Sequence, residues 1–94
     1  MFASNHLFNH PINNWDVSNV KVMEGLFAGA ADFNQNISGW NVSNATTMQA
    51  MFNNAGSFSQ DLSNWNTANV TSCNGFSANS ALTAAQLPTT GNCF

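Results

Sequence analysis

The chain is 94 residues long, enough for one domain with a modest core. Only 5% of the residues are charged, with Lys21 the sole base against Asp16, Glu24, Asp32 and Asp61. One cation cannot neutralise a nucleic-acid backbone or hold an anionic lipid surface, so both partners are excluded.

An apolar content of 44%, with 8 Phe and 3 Trp, separates the chain from disordered polar tracts. Solubility rests instead on neutral amides and hydroxyls: 17 Asn, 10 Ser and 7 Thr. No apolar run approaches the roughly 20 residues of a membrane span, so no membrane insertion is expected. A basic start followed by an apolar stretch is missing, which places any export signal outside this sequence.

Shifted by 25 residues, the sequence overlays itself. Met1-Phe2 falls on Leu26-Phe27 and Met51-Phe52, and Phe8 falls on Phe33 and Phe58. Ile12 meets Ile37 and Leu62; Trp15 meets Trp40 and Trp65; Val17 meets Val42 and Thr67. Asn19, Asn44 and Asn69 form a further column, as do Met23, Met48 and Cys73. Within a copy, Trp15 to Val17 alternates and predicts a short strand. Ser18 and Asn19 follow as N-cap residues. Val20, Met23, Leu26, Phe27 and Ala30 then recur at three and four, which predicts a helix of two to three turns ended by Gly29, or by Gly56 in the next copy. Phe33-Asn34-Gln35 returns the chain to the next strand.

The expected fold is therefore an α/β solenoid of about three 25-residue strand–turn–helix repeats over residues 1–76, followed by a C-terminal cap over 77–94. Its short strands would pair in parallel about 4.8 Å apart. Trp15, Trp40 and Trp65 would form a buried ladder, beside two Phe ladders. For the Asn19, Asn44 and Asn69 column two readings stand: a side-chain amide ladder, or one cap for each helix.

The spacing resembles the leucine-rich repeat, and more closely its BspA-like branch of surface proteins, whose pattern is MF-x-x-A-x-x-F-N-Q-x-I-x-x-W-x-V-S-N-V-x-x-M. The second copy matches it through Leu26-Phe27, Phe33-Asn34-Gln35, Ile37, Trp40, Val42-Ser43-Asn44 and Met48. The third matches through Phe58, Gln60, Leu62, Trp65 and Asn69. The first departs at His10-Pro11, where a backbone donor is lost. The resemblance implies an extracellular, non-enzymatic solenoid that adheres to or binds protein or glycan. It transfers no catalytic residue and no cofactor.

After Phe76 the pattern decays, and Thr83 stands where a Phe belongs. Ala81 to Leu87 has helical propensity, and Leu87 keeps the register of Ile12. In an exported chain the pair Cys73 and Cys93 reads as one disulfide, worth roughly 3 kcal/mol; two reduced thiols are the alternative. Leu87-Pro88-Thr89-Thr90-Gly91 matches the LPxTG signal of sortase-anchored surface proteins, but only Asn92-Cys93-Phe94 follow. The stretch is accordingly read as a proline-marked turn.

His6 and His10 stand four apart, yet the other copies carry Ala31 and Gln35 there, so no metal site is expected. The four acids share no column, which argues against repeated calcium loops. Asn36, Asn41, Asn44 and Asn69 each head an N-x-[ST] sequon and are candidate glycan acceptors, Asn41 being the one most exposed in the alternation. The outward strand positions are Asn14, Asp16 and Ser18 with their repeats Gly39, Asn41, Ser43 and Asn64, Asn66, Ala68. This neutral amide and hydroxyl face is the candidate ligand-binding face, with a host or matrix protein or a glycan as partner. Two alternatives stand beside it: a subunit stacking head to tail into an extracellular filament, and, as a minor one, ice binding.

Overall fold

In the computed structural model, which describes residues 12, 14–89, 91, 93 and 94, the backbone enters the left-handed region at the same two places in successive copies. Gly25, Ala50 and Gly75 share one repeat position and have φ of 63°, 55° and 69°. Gly29, Asn54 and Asn79 share another, at 74°, 62° and 60°. A left-handed residue every fourth position is incompatible with a right-handed helix, so the segment from Val20 to Ala30 cannot close i to i−4 hydrogen bonds.

Its amides reach across to the next copy instead. Met23, Gly25, Phe27 and Gly29 donate to the carbonyls of Thr47, Gln49, Met51 and Asn53 at 2.7–3.0 Å. One copy further on, Met48, Ala50, Phe52 and Asn54 donate to Ser72, Asn74, Phe76 and Ala78 at 2.8–2.9 Å. Every second residue thus supplies an N–H to its neighbour, and the residues between close tight turns such as Ala28 N to Gly25 O at 3.1 Å.

The strand–turn–helix α/β solenoid expected from the spacing is therefore not the fold. Among the described residues the helical content is one 3₁₀ turn, Ala84–Gln86. No sheet forms there; its place is taken by two isolated parallel bridges, Val22 with Thr47 and Thr47 with Ser72. What results is a body of turns and extended coil, 31 × 25 × 20 Å, with a Cα radius of gyration of 11.7 Å. The three-and-four spacing that reads as a helical face arises because each left-handed corner swings the next apolar side chain inward.

Those side chains build one core. Phe27 stacks on Phe33 at 4.2 Å, and Phe52 on Phe58 at 4.2 Å; across copies Phe27 meets Phe52 at 5.6 Å and Phe33 meets Phe58 at 5.5 Å. Phe76 turns its edge to Phe52, and Phe94 sits edge-on to Phe76 at 4.8 Å. Trp40 and Trp65 are buried at 5% and 1% exposure, each donating its indole N–H to a carbonyl 28 residues earlier, Ile12 and Ile37, at 3.1 Å. Trp15 breaks the expected ladder at 46% exposure.

Ala50 is the one corner residue in its column that carries a Cβ. An L-residue there is strained by about 1–2 kcal/mol, whereas a glycine loses roughly 0.5–1 kcal/mol of chain entropy. Ala50→Gly is expected to stabilise the fold by about 0.5–1 kcal/mol in urea denaturation; a loss of stability would show that the corner is not strained.

Candidate functional site

The outward face is built from one turn used repeatedly. Asp16 Oδ1 accepts hydrogen bonds from the Ser18 N–H at 3.0 Å and the Ser18 hydroxyl at 2.6 Å. Asn41 Oδ1 does the same for Ser43 at 3.1 and 2.6 Å, and Asn66 Oδ1 takes the Ala68 N–H at 3.2 Å. Asn36 with Ser38 and Asp61 with Ser63 repeat the device one turn earlier in their copies. Asx residues favour such turns because the short side chain mimics a backbone carbonyl.

Of the residues expected to bind ligand, Asn14, Asp16, Asn41, Asn64 and Asn66 are exposed, while Ser18 and Ser43 are half-buried. The turns consume one acceptor of each Asx residue and engage the Ser18 and Ser43 hydroxyls. What faces out is the amide NH₂ of Asn41 and of Asn66 and the second oxygen of Asp16.

The hydrogen bonds from Ser18, hydroxyl first and then N–H, hold the Asp16 carboxyl below the usual range; Ser63 does the same to Asp61. A depressed folded value means stabilisation that is full above the ordinary carboxylate range, roughly pH 4, and is lost as pH falls through the folded value. Asparagine at the same position makes the same turn in the next copy, at Asn41. The double variant Asp16→Asn, Asp61→Asn is therefore expected to keep its neutral-pH stability and to lose less of it on acidification. An unchanged acid limb in pH-dependent melting would contradict this.

The Asn column resolves into neither earlier reading. Asn44 Nδ2 donates to Ser18 O at 2.7 Å and Asn69 Nδ2 to Ser43 O at 2.8 Å, so each amide ties its copy to the preceding backbone. There is no helix for them to cap. The sequons divide accordingly. At Asn44 and Asn69 the amide nitrogen is engaged between copies, whereas at Asn36 and Asn41 it points outward.

At the C-terminal end, Cys73 and Cys93 form a disulfide. Leu62 N donates to Gln86 O at 2.8 Å, Pro88 is buried, and the Thr89 hydroxyl lies 3.4 Å from Ser63 O. Gly91, at φ 83°, packs so closely that a Cβ would stand 2.9 Å from Thr67 O. The described part of the LPTTG stretch thus belongs to the packed surface of the last copy. His6, His10 and Pro11 lie outside the described residues. Among the described residues no group of three metal-ligating side chains occurs, and no helix is long and apolar enough to cross a membrane.

One feature belongs to a single copy. Trp15, Val17, Val20, Val22, Leu26 and Trp40 line an apolar groove of about 350 Å³ on the first described copy. Val22 is 67% exposed and Val20 36%. The signal was legible in one column: Val22 aligns with Thr47 and Ser72, an apolar residue where the other copies are polar.

No curated protein and no solved structure matched the chain. The family described as Mycoplasma protein of unknown function, DUF285, matches residues 1–89. Since that span holds the period, the left-handed corners and the Asx turns together, the chain belongs to this Mycoplasma family, DUF285.

Proposed function

We propose that this chain is a non-enzymatic binding module of an extracellular surface protein, of the BspA-like kind, that holds a protein or glycan partner. The observation that carries the reading is the recurrence of one exposed Asx turn, at Asp16, Asn41 and Asn66, with its amide or carboxylate facing out at the same repeat position. Rows of outward amides are matched donors and acceptors for sugar hydroxyls and for peptide groups. The outward positions themselves, Asn14, Asp16, Asn41, Asn64 and Asn66, carry no aromatic or Arg anchor of the sort that concentrates affinity in tight protein interfaces. Each contact is therefore weak, and useful affinity comes from many copies engaged at once.

The test changes the outward group and keeps the turn. Asn41→Asp with Asn66→Asp preserves the Oδ1 acceptor that closes each turn but replaces the outward NH₂ with an oxygen. Wild type and variant are applied to an array of immobilised neutral and sialylated oligosaccharides and extracellular-matrix proteins. Binding by wild type that falls at least tenfold in the variant, with unchanged melting, supports the reading. Equal binding by both proteins would remove this face as the site.

A further inference from the structure

At the first left-handed corner the three copies carry Glu24-Gly25, Gln49-Ala50 and Asn74-Gly75. Only the last is an asparagine followed by glycine, a pair that occurs nowhere else in the chain. An asparagine amide is open to attack by the next residue's backbone nitrogen, because a five-membered ring results, and glycine shields that nitrogen least. Glutamine and glutamate would have to close a larger ring. At other asparagines the fold ties up the reacting groups. Asn79-Ser80 also has a small second residue, but Asn79 Nδ2 donates to Asn54 Oδ1 at 3.0 Å and Ser80 N to Ser77 O at 3.1 Å. Asn44 Nδ2 likewise donates to Ser18 O, and Ala45 N to Val42 O. Asn74 and Gly75 are exposed even with residues 76–89 packed after them. Among the described residues, neither the Asn74 side chain nor the Gly75 N–H has a hydrogen-bond partner.

We propose that Asn74-Gly75 is a self-modifying site, where the chain converts its own asparagine to an isoaspartyl or aspartyl residue and so loosens its last copy. The Gly75 nitrogen bonds to Asn74 Cγ, the Cγ–Nδ2 bond breaks, and the amide group leaves as ammonia with the proton of the Gly75 N–H. Water then opens the succinimide, at Cγ to give aspartate or at the main-chain carbonyl carbon to give isoaspartate. No oxidant, reductant or further reagent enters. Isoaspartate lengthens the backbone by one methylene inside the turn that Phe76 N closes on Cys73 O at 3.1 Å. It also makes a free carboxylate of the Asn74 carbonyl, which accepts the Ala50 N–H at 2.8 Å. The bonds that follow in the same row, Phe52 N to Phe76 O and Asn54 N to Ala78 O, then lose their register. Bonds between the first two described copies, such as Phe27 N to Met51 O, are untouched, so the opening stays local. The conversion does not involve the Asx turns at Asp16, Asn41 and Asn66, so it stands or falls separately from adhesion.

Storage of the 94-residue chain in mildly alkaline buffer, with its disulfide intact, tests this. Peptide mapping by mass spectrometry locates each amide that has become a carboxyl, and labelling by an isoaspartyl methyltransferase reads the isoaspartyl share. Asn74 is expected to convert at least tenfold faster than Asn79 or any other described asparagine. The converted fraction is expected to lose hydrogen-exchange protection at Ala50, Phe52 and Asn54 and to keep it at Phe27. Asn74→Gln and Gly75→Ala are the controls, since Gln49 and Ala50 already occupy this corner in the preceding copy. A Cβ at Gly75 meets only Asn53 Nδ2, at 3.5 Å. Both variants are expected to fold and to slow conversion at the corner at least tenfold. Conversion led by another asparagine, a corner indifferent to both substitutions, or a converted chain with full protection at Ala50 and Phe52 would each overturn the proposal.

Discussion

Trp65→Ala and Trp40→Ala are each expected to remove about 3–5 kcal/mol, and Trp15→Ala roughly half as much or less. The difference follows from position. Trp40 and Trp65 are almost wholly buried, and each indole N–H satisfies a carbonyl of the preceding copy, Ile12 or Ile37. Truncation leaves a cavity beside Phe27 or Phe52, whose rings lie 6.1 and 6.4 Å away, and also strands a buried acceptor. Trp15 is half in water and has less to lose. A domain of this size has a total stability of about 5–14 kcal/mol, so either interior change takes a large share of it. Urea denaturation of the three variants checks the order. Equal losses at Trp15 and Trp40 would mean that the first copy is covered as fully as the second.

Loss of the Cys73–Cys93 bond is expected to lower stability by roughly 3 kcal/mol, with its effect concentrated at the C-terminal end. The bond holds Phe94 edge-on against Phe76 and keeps Gly91 tight on the Thr67 carbonyl. Without it, residues from about 77 onward loosen first, while the Phe27, Phe33, Phe52 and Phe58 cluster keeps its own hydrogen-bonded neighbours. Contacts here run mainly between adjacent copies, so opening at one end need not propagate to the other. Hydrogen exchange of the Cys73→Ser, Cys93→Ser variant checks this. Protection should vanish at Leu62, which donates to Gln86, and persist at Phe27 and Phe52. Simultaneous loss at all three would show a single cooperative unit.

The 25-residue period read from the sequence reappears as the spacing of ring stacks and of hydrogen bonds between copies. Exposure of Asn14, Asp16, Asn41, Asn64 and Asn66 was also legible, since these lie two residues apart in each copy, on the opposite side from the Trp column. The local conformation was not. Val20, Met23, Leu26 and Phe27 satisfy a helical template, and hydrophobic periodicity alone does not distinguish a helix from a chain folded back at regular corners. The deciding residues were Gly25, Ala50 and Gly75 with Gly29, Asn54 and Asn79. Two Gly in one column, and one Gly with two Asn in the other, are the residue types that enter the left-handed region at least cost. Ala50 obscured the first column, and Gly29 was read as one helix end, not as a corner made in each copy. The groove was missed for a different reason. A repeat pattern emphasises what its copies share, and Val22 matters because it differs from Thr47 and Ser72.

Through-hydrogen-bond scalar couplings measured by NMR test the central claim most directly, since they name donor and acceptor for each amide. Copies joined side by side require a coupling from the Phe27 nitrogen to the Met51 carbonyl carbon and from the Phe52 nitrogen to that of Phe76. A helical segment would instead couple Phe52 to Met48, four residues back. Couplings to Met51 and Phe76 are the predicted result, and a coupling from Phe52 to Met48 would contradict it.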